Sequence, residues 1–352
     1  MKIEKFNAKE YYFDLLKASR ENLDALGSSS YIKKAFPTQR LETVATWIED
    51  NQAKDLKHGY WPPLFLFLAN SPIAEIRTFE NDLKLVVEHS TRTNESEITA
   101  FLKTNAKEDR YWVSGLFEIF IKSNLIKKNI KAEFDYPLSN GKNVDIKCKL
   151  EGKSYYIECT IMTDSDTNRK AWDRFMDAQK VQEKSACSLS DYKDPSPNEV
   201  SELYLHCLKF YDKIYDKIAP NLNPGMGQLG EDAQNILAIS FYTPCSIVNQ
   251  SPGIGWALDE LFADQPRGSF SPKGIPDVSL SAWLDFKAKD IELDMARYYE
   301  KRNEIIAAPR KVSGILLFDM CSLKTARVNY NARNKYKLSH SEMTIFENLF
   351  KF

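Results

Sequence analysis

Two carboxylates, Asp145 and Glu158, lie in a stretch whose pattern brings them together: Asn143 to Met162, NVDIKCKLEGKSYYIECTIM. Alternating runs, Asn143 to Leu150 and Ser154 to Met162, flank Glu151-Gly152-Lys153, the pattern of a β-hairpin closed by a glycine-bearing turn. Residues two apart in a strand share a face, so Asp145, Lys147 and Lys149 point one way and Val144, Ile146 and Cys148 the other. On the second strand Tyr156, Glu158 and Thr160 share a face, with Tyr155, Ile157, Cys159 and Ile161 behind them. Glu158 is the one acid in an otherwise apolar or neutral strand, and an ionised carboxylate there needs a partner or a metal. Two acids converging from neighbouring strands form an oxygen-rich site of the kind that holds Mg²⁺ together with a substrate phosphate, which points to phosphodiester hydrolysis. The same pattern also suits an amphipathic hairpin whose polar face is simply in water.

The elements around the hairpin decide what it can do. Asp109 to Lys127 carries a broad apolar stripe of Val113, Leu116, Phe117, Phe120, Ile121 and Leu125, which predicts a helix. Glu118 sits at the margin of that stripe, either reaching a neighbouring sheet or solvated on the flank. A short strand at Ala132 to Tyr136 and a turn at Ser139-Asn140-Gly141 lead into the hairpin. After it, a polar connection from Thr163 to Asn168 precedes a helix expected over Arg169 to Glu183. Residues 121 to 153 hold eight lysines against Glu133, Asp135, Asp145 and Glu151, a local excess of four positive charges that opposes phosphate repulsion.

In order and type these elements resemble the core of the PD-(D/E)XK nuclease superfamily: a helix with a Glu, three antiparallel strands with Asp on the second and Glu-x-Lys on the third, then a helix. The matching positions are Glu118, Asp145 and Glu158, and the resemblance spans roughly residues 109 to 186. It implies a restriction-endonuclease-like mixed sheet flanked by helices and hydrolysis of DNA dependent on Mg²⁺ or Mn²⁺. It further implies Asp145 and Glu158 as metal ligands, Glu118 as an auxiliary acid, and DNA as partner, with restriction or antiviral defence a context such proteins often serve. Thr160 stands where the family has its lysine. A neutral hydroxyl cannot stabilise a phosphorane as an ammonium does, and Lys147, on the face of Asp145, is the candidate to supply that charge. Without such a cation the chain would be a silent nuclease-fold protein that binds nucleic acid or a protein partner.

The rest of the chain adds no second chemistry. Residues 1 to 105 read as a helical accessory or interaction region, and 106 to 352 as the nuclease-like domain with C-terminal elaborations, giving an α/β protein. The first region offers a surface for a homodimer or another protein. Its expected helices include one on Leu41, Val44, Trp47 and Ile48, whereas Asn81 to Val87 is too short to assign. Later helices are expected at Glu199 to Ile218, Ile254 to Phe262, Lys287 to Ile306 and Ser341 to Phe350, with strands at Ile236 to Tyr242, Val312 to Phe318 and Ala326 to Tyr330. Gly225, Gly227 and Gly230 have literal GxGxxG spacing, but no strand precedes them and a strand follows, the reverse of a dinucleotide site. With 48 basic against 49 acidic residues, no whole-molecule field draws in a polyanion, so any such site is local. Six cysteines without a CxxC pair and four scattered histidines argue against structural zinc and for reduced thiols. The absence of a nucleophile elbow argues against a serine or cysteine hydrolase. The N-terminus has no apolar core of a signal, and no apolar run is long enough for a membrane span, so a cytoplasmic protein is expected.

Overall fold

The structure, a computed structural model, describes residues 8–36, 63–89, 109–163, 199–242, 252–263, 279–319 and 321–351, with isolated positions between them. The chain divides into two compact units, one taking the residues up to Ser123 and the other residues 124–165 and 196–352. Described helices of the first unit are α1 (Ala8–Asp24), α2 (Tyr31–Ala35), α3 (Pro63–Asn70), α4 (Ile73–His89) and most of α5 (Asp109–Lys127). Polar side chains tie these helices together. Asn22 donates to the carbonyl of Leu68 at 2.7 Å, and Glu80 of α4 accepts from Ser30 Oγ at 2.9 Å and from the backbone N–H of Tyr31 at 2.8 Å. Glu80 thereby satisfies donors that α2 cannot satisfy within itself. Asn81 to Val87 lies inside α4, a 17-residue helix. The helix expected around Leu41 to Ile48 lies largely outside the described residues, and that expected over Arg169 to Glu183 lies wholly outside them.

The second unit is built on a six-stranded sheet with helices on both faces. Its strands are β1 (Lys131–Pro137), β2 (Asn143–Leu150), β3 (Lys153–Thr163), β4 (Gln234–Tyr242), β5 (Val312–Asp319) and β6 (Ser322–Val328), adjacent in that order. β1, β2 and β3 form an antiparallel meander, β4 and β5 add in parallel, and β6 closes the far edge antiparallel. The turn between β2 and β3 has two residues, Glu151 (φ 48°) and Gly152 (φ 84°), between the pair Leu150 and Lys153. Two successive positive φ values match the right-handed twist of the strands, which sets the register of the carboxylate-bearing hairpin.

Parallel neighbours require crossovers, and their helices supply the core. The chain from β3 to β4 carries α6 (Glu199–Ile218), and that from β4 to β5 carries α7 (Pro252–Leu261), α8 (Leu280–Asp290) and α9 (Met295–Ile306). Phe210 and Ile214 of α6, Leu258 of α7 and Trp283 of α8 share one buried cluster with Leu237, Ile239 and Ile315, so both crossovers lie on one face. The single helix expected over Lys287 to Ile306 is two: the chain breaks at Glu292 (φ 50°), and Asp294 caps α9 by accepting from the N–H of Ala296 at 3.0 Å.

On the opposite face lies α10 (His340–Phe350), with Phe346 edge-on to Tyr155 at 5.1 Å and Phe350 to Phe318 at 5.5 Å. Glu342 fastens it. Its Oε2 accepts from the Ser339 N–H at 2.7 Å in a capping box, while Oε1 accepts from Lys153 Nζ at 2.6 Å and Tyr155 O–H at 3.0 Å. Burial pushes its pKa up, but Lys153, Ser339 and Tyr155 outweigh this and pull it down to about 2. A depressed carboxyl contributes its full stability above the ordinary range near 4.5 and loses it as the pH falls towards 2. Glu342→Gln is expected to cost about 2 kcal/mol at neutral pH. Denaturation of both proteins from pH 6 to pH 2.5 checks this, with the difference shrinking as acid is added.

Candidate active site

The backbone ladder between β2 and β3 stops at the two carboxylates. Paired residues run from Leu150 and Lys153 to Ile146 and Ile157, and the next position places Asp145 opposite Glu158. There side chains replace the ladder: Glu158 Oε2 accepts from the Asp145 N–H at 3.3 Å, and Asp145 Oδ2 accepts from the Cys159 N–H at 2.7 Å. Beyond this point β2 stays with β1 through Tyr136 and Val144, whereas β3 continues beside β4 as far as Thr163 and Tyr242. The sheet therefore forks where the acids meet. On the β1 side, the position opposite Asp145 is Asp135, a residue in the left-handed region (φ 51°) that interrupts regular pairing.

Glu158 has no exposed surface. A charge so placed must be matched, and Lys217 of α6 matches it, its Nζ lying 2.6 Å from Oε1. Burial lowers the pKa of Lys217, but the nearby charges of Glu158 and Asp145 and the hydrogen bond to Glu158 outweigh it and leave the ammonium above the ordinary lysine value. Lys217 is therefore a cation at neutral pH and not a base, and it feels both carboxylates.

Local packing sets the position of that lysine. Cys207, Phe210, Tyr211, Ile214, Tyr215 and Ile218 form the buried stripe of α6, and Lys217 follows Phe210 and Ile214 at helical spacing on the edge of it. The loop after α6 then grips the helix end. The N–H of Gln228 donates to the carbonyl of Lys217 at 2.7 Å, and a Cβ on Gly227 would lie 2.4 Å from the carbonyl oxygen of Ile218. Gly230 lies so close on the ring of Tyr156 that a Cβ would come within 2.0 Å of it. Of the glycines in GxGxxG spacing, Gly227 thus permits close packing on the helix terminus and Gly230 on the Tyr156 ring.

The other residues singled out from the sequence occupy distinct places. Lys147 lies with its ammonium 3.9 Å from the centroid of the Tyr136 ring, and a hydrogen bond to Tyr136 raises its pKa. The lysine whose ammonium contacts Glu158 is Lys217, which the sequence reading did not single out. Its signal was a lysine at a core spacing of an otherwise apolar stripe. Thr160 is buried two residues beyond Glu158 on the same strand, in register with Ile239 of β4. Glu118, in the N-terminal unit, forms an ion pair with Lys122, four residues on in α5, and Lys122 is itself buried.

The donor set at the fork consists of hard carboxylate oxygens, which suit Mg²⁺ or Mn²⁺. Each carboxylate oxygen has two lone pairs, so an oxygen that accepts a hydrogen bond can also bind a cation. Among the described residues no group of three or more His, Cys, Asp or Glu side chains is placed to hold a metal. Of the described side chains, Asp145 and Glu158 could hold a cation whose remaining ligands are other oxygens, such as water or substrate, as Mg²⁺ commonly takes. Also among the described residues, no helix is long and apolar enough to cross a membrane. Comparison with protein-family models, with curated proteins and with solved structures found no match in any of the three.

Lys217→Ala leaves the Glu158 charge buried without that partner, and such a loss typically costs about 3–5 kcal/mol. Urea denaturation is expected to show a loss of this size for Lys217→Ala and recovery of most of it when Glu158→Gln is added.

Proposed function

We propose that this chain is a metal-dependent nuclease of the PD-(D/E)XK type that hydrolyses DNA phosphodiester bonds, with Asp145 and Glu158 holding Mg²⁺ or Mn²⁺ and Lys217 in the role of the absent motif lysine. The observation that carries the reading is the fork between β2 and β3, where directly opposed carboxylates meet a protonated lysine from the crossover helix. The order of elements supports it: helix, three antiparallel strands, crossover helix, and a fourth strand parallel to the third. When bound, the metal polarises the phosphoryl oxygen and lowers the pKa of water.

The chain's own residues carry the remaining work. Asp145 is oriented by the N–H of Cys159 and Glu158 by that of Asp145, so both reach the reaction already positioned. The Lys217 ammonium, kept charged by its neighbours, offers a preorganised donor to the negative charge that develops on the phosphorane. Because it stays protonated it does not abstract the proton of the attacking water. Thr160 supplies a neutral hydroxyl along the same strand.

One observation favours a second reading, a nuclease-fold protein that binds nucleic acid without cutting it. Glu158 is wholly buried and its charge is matched by Lys217 before any metal binds. Cleavage of plasmid and linear DNA with Mg²⁺ or Mn²⁺ separates the two. The nuclease reading expects metal-dependent cutting by the wild type, none by Glu158→Ala, and a fall in kcat of about 10²–10³ for Lys217→Ala, as for loss of one preorganised donor. Lys147→Ala is expected to fall by less at saturating DNA. Binding without cutting by the wild type, with either metal, would support the silent reading instead.

A further inference from the structure

Further along the sheet from the carboxylates, on the same face as Glu158, the fold encloses a cleft of about 540 Å³ lined by Tyr136, Tyr156, Gly227, Gly230, Asp232 and Lys311 among others. Its size falls in the range of small-molecule sites. Tyr156 is buried and forms a fixed wall: Gly230 lies on its ring, and its O–H donates to Asp232 Oδ1 at 2.7 Å. Tyr136 is only half-buried, with its ring 5.8 Å from that of Tyr156 and tilted 30° to it. Lys147, which is outside the lining, places its Nζ over one face of the Tyr136 ring, 3.9 Å from the centroid, and leaves the other face for stacking. On the far side Glu231 accepts from both Lys311 and Lys335 at 2.7 Å, one carboxylate between two ammonium groups.

A ligand suited to these walls is flat and aromatic and presents N–H donors to Asp232, since a carboxylate only accepts; an anion attached to it at the Tyr136 edge of the cleft would meet Lys147, which lies against that ring outside the lining. We propose that the cleft is a subsite for one nucleobase, favouring a base such as guanine that offers adjacent N–H groups, with Tyr136 as the stacking surface and Lys147 at the attached phosphate. Ile218, the neighbour of Lys217, also lines the cleft, so a base held here lies beside the helix end that carries the site lysine. The place of this base within a strand rests on the nuclease reading. The binding itself does not, and it can be measured with a mononucleotide in the absence of metal.

The experiment titrates the full chain, in chelator, with guanosine monophosphate, guanosine, thymidine monophosphate and ribose 5-phosphate, followed by calorimetry. Guanosine monophosphate is expected to bind at least about ten-fold more tightly than ribose 5-phosphate. Tyr136→Ala should reduce that affinity by about ten-fold or more, in keeping with base–aromatic stacking. Asp232→Asn, which keeps an oxygen for the Tyr156 O–H, should abolish the preference for the guanine over the thymine nucleotide. Lys147→Gln should weaken the nucleotide more than guanosine. Equal binding of guanosine monophosphate and ribose 5-phosphate, or a Tyr136→Ala variant with unchanged affinity and a wild-type circular dichroism spectrum, would overturn the proposal. Failure of DNA cleavage alone would leave this result standing and count only against the nuclease reading.

Discussion

A buried carboxylate in the middle of a sheet is the constraint that organises this unit. Glu158 has no exposed surface, and an unmatched charge there would cost several kcal/mol. The surrounding structure meets that cost at short range. The Asp145 N–H and the Lys217 ammonium each take one oxygen of Glu158, and Asp145 in turn takes the N–H of Cys159. Each of these contacts has a structural consequence. The reciprocal bonds end the β2–β3 ladder and open the fork, while the ion pair fixes the end of α6 over β3. The glycine loop then holds that end, through Gln228 on the Lys217 carbonyl and the close approach of Gly227.

This economy lets the cation beside Glu158 come from outside its own strand. A cation is needed near Glu158, but its chain position is free as long as the ammonium arrives. Thr160 leaves the strand position neutral, and the crossover helix delivers Lys217 from 59 residues away. Delivery from a helix has a physical advantage. The helix backbone is rigid, its apolar stripe is anchored in the core shared with β4 and β5, and the ammonium is held charged by two carboxylates. The same arrangement stabilises the fold without any metal.

Local pattern made much of this legible in the sequence. Alternation and a glycine turn located both strands of the hairpin and placed Asp145 and Glu158 on one face, and α6 spans the residues its periodicity predicts, Glu199–Ile218. The turn, expected over Glu151-Gly152-Lys153, is one residue shorter: Glu151 and Gly152 both have positive φ, and Lys153 already pairs with Leu150. What escaped is non-local. Lys217 meets Glu158 only through the packing of a crossover, which strand alternation cannot encode, so the nearer Lys147 was the natural candidate. Its ammonium lies instead on the Tyr136 ring. The break between α8 and α9 was missed because apolar spacing continues across it, and the decisive feature is the left-handed Glu292 followed by the Asp294 cap. The packing roles of Gly227 and Gly230 depend on contacts with Ile218 and Tyr156 that no local pattern reveals.

The central claim is that the fork binds a divalent cation through Asp145 and Glu158 while Lys217 keeps its hold on the site. Anomalous diffraction from crystals soaked in Mn²⁺ tests it most directly. The account predicts a single strong peak within coordination distance of one oxygen from each carboxylate, about 2.0–2.3 Å, with the Lys217 ammonium still within hydrogen-bonding reach of Glu158. A map with no peak at the fork, and Glu158 bound to Lys217 as before, would contradict it.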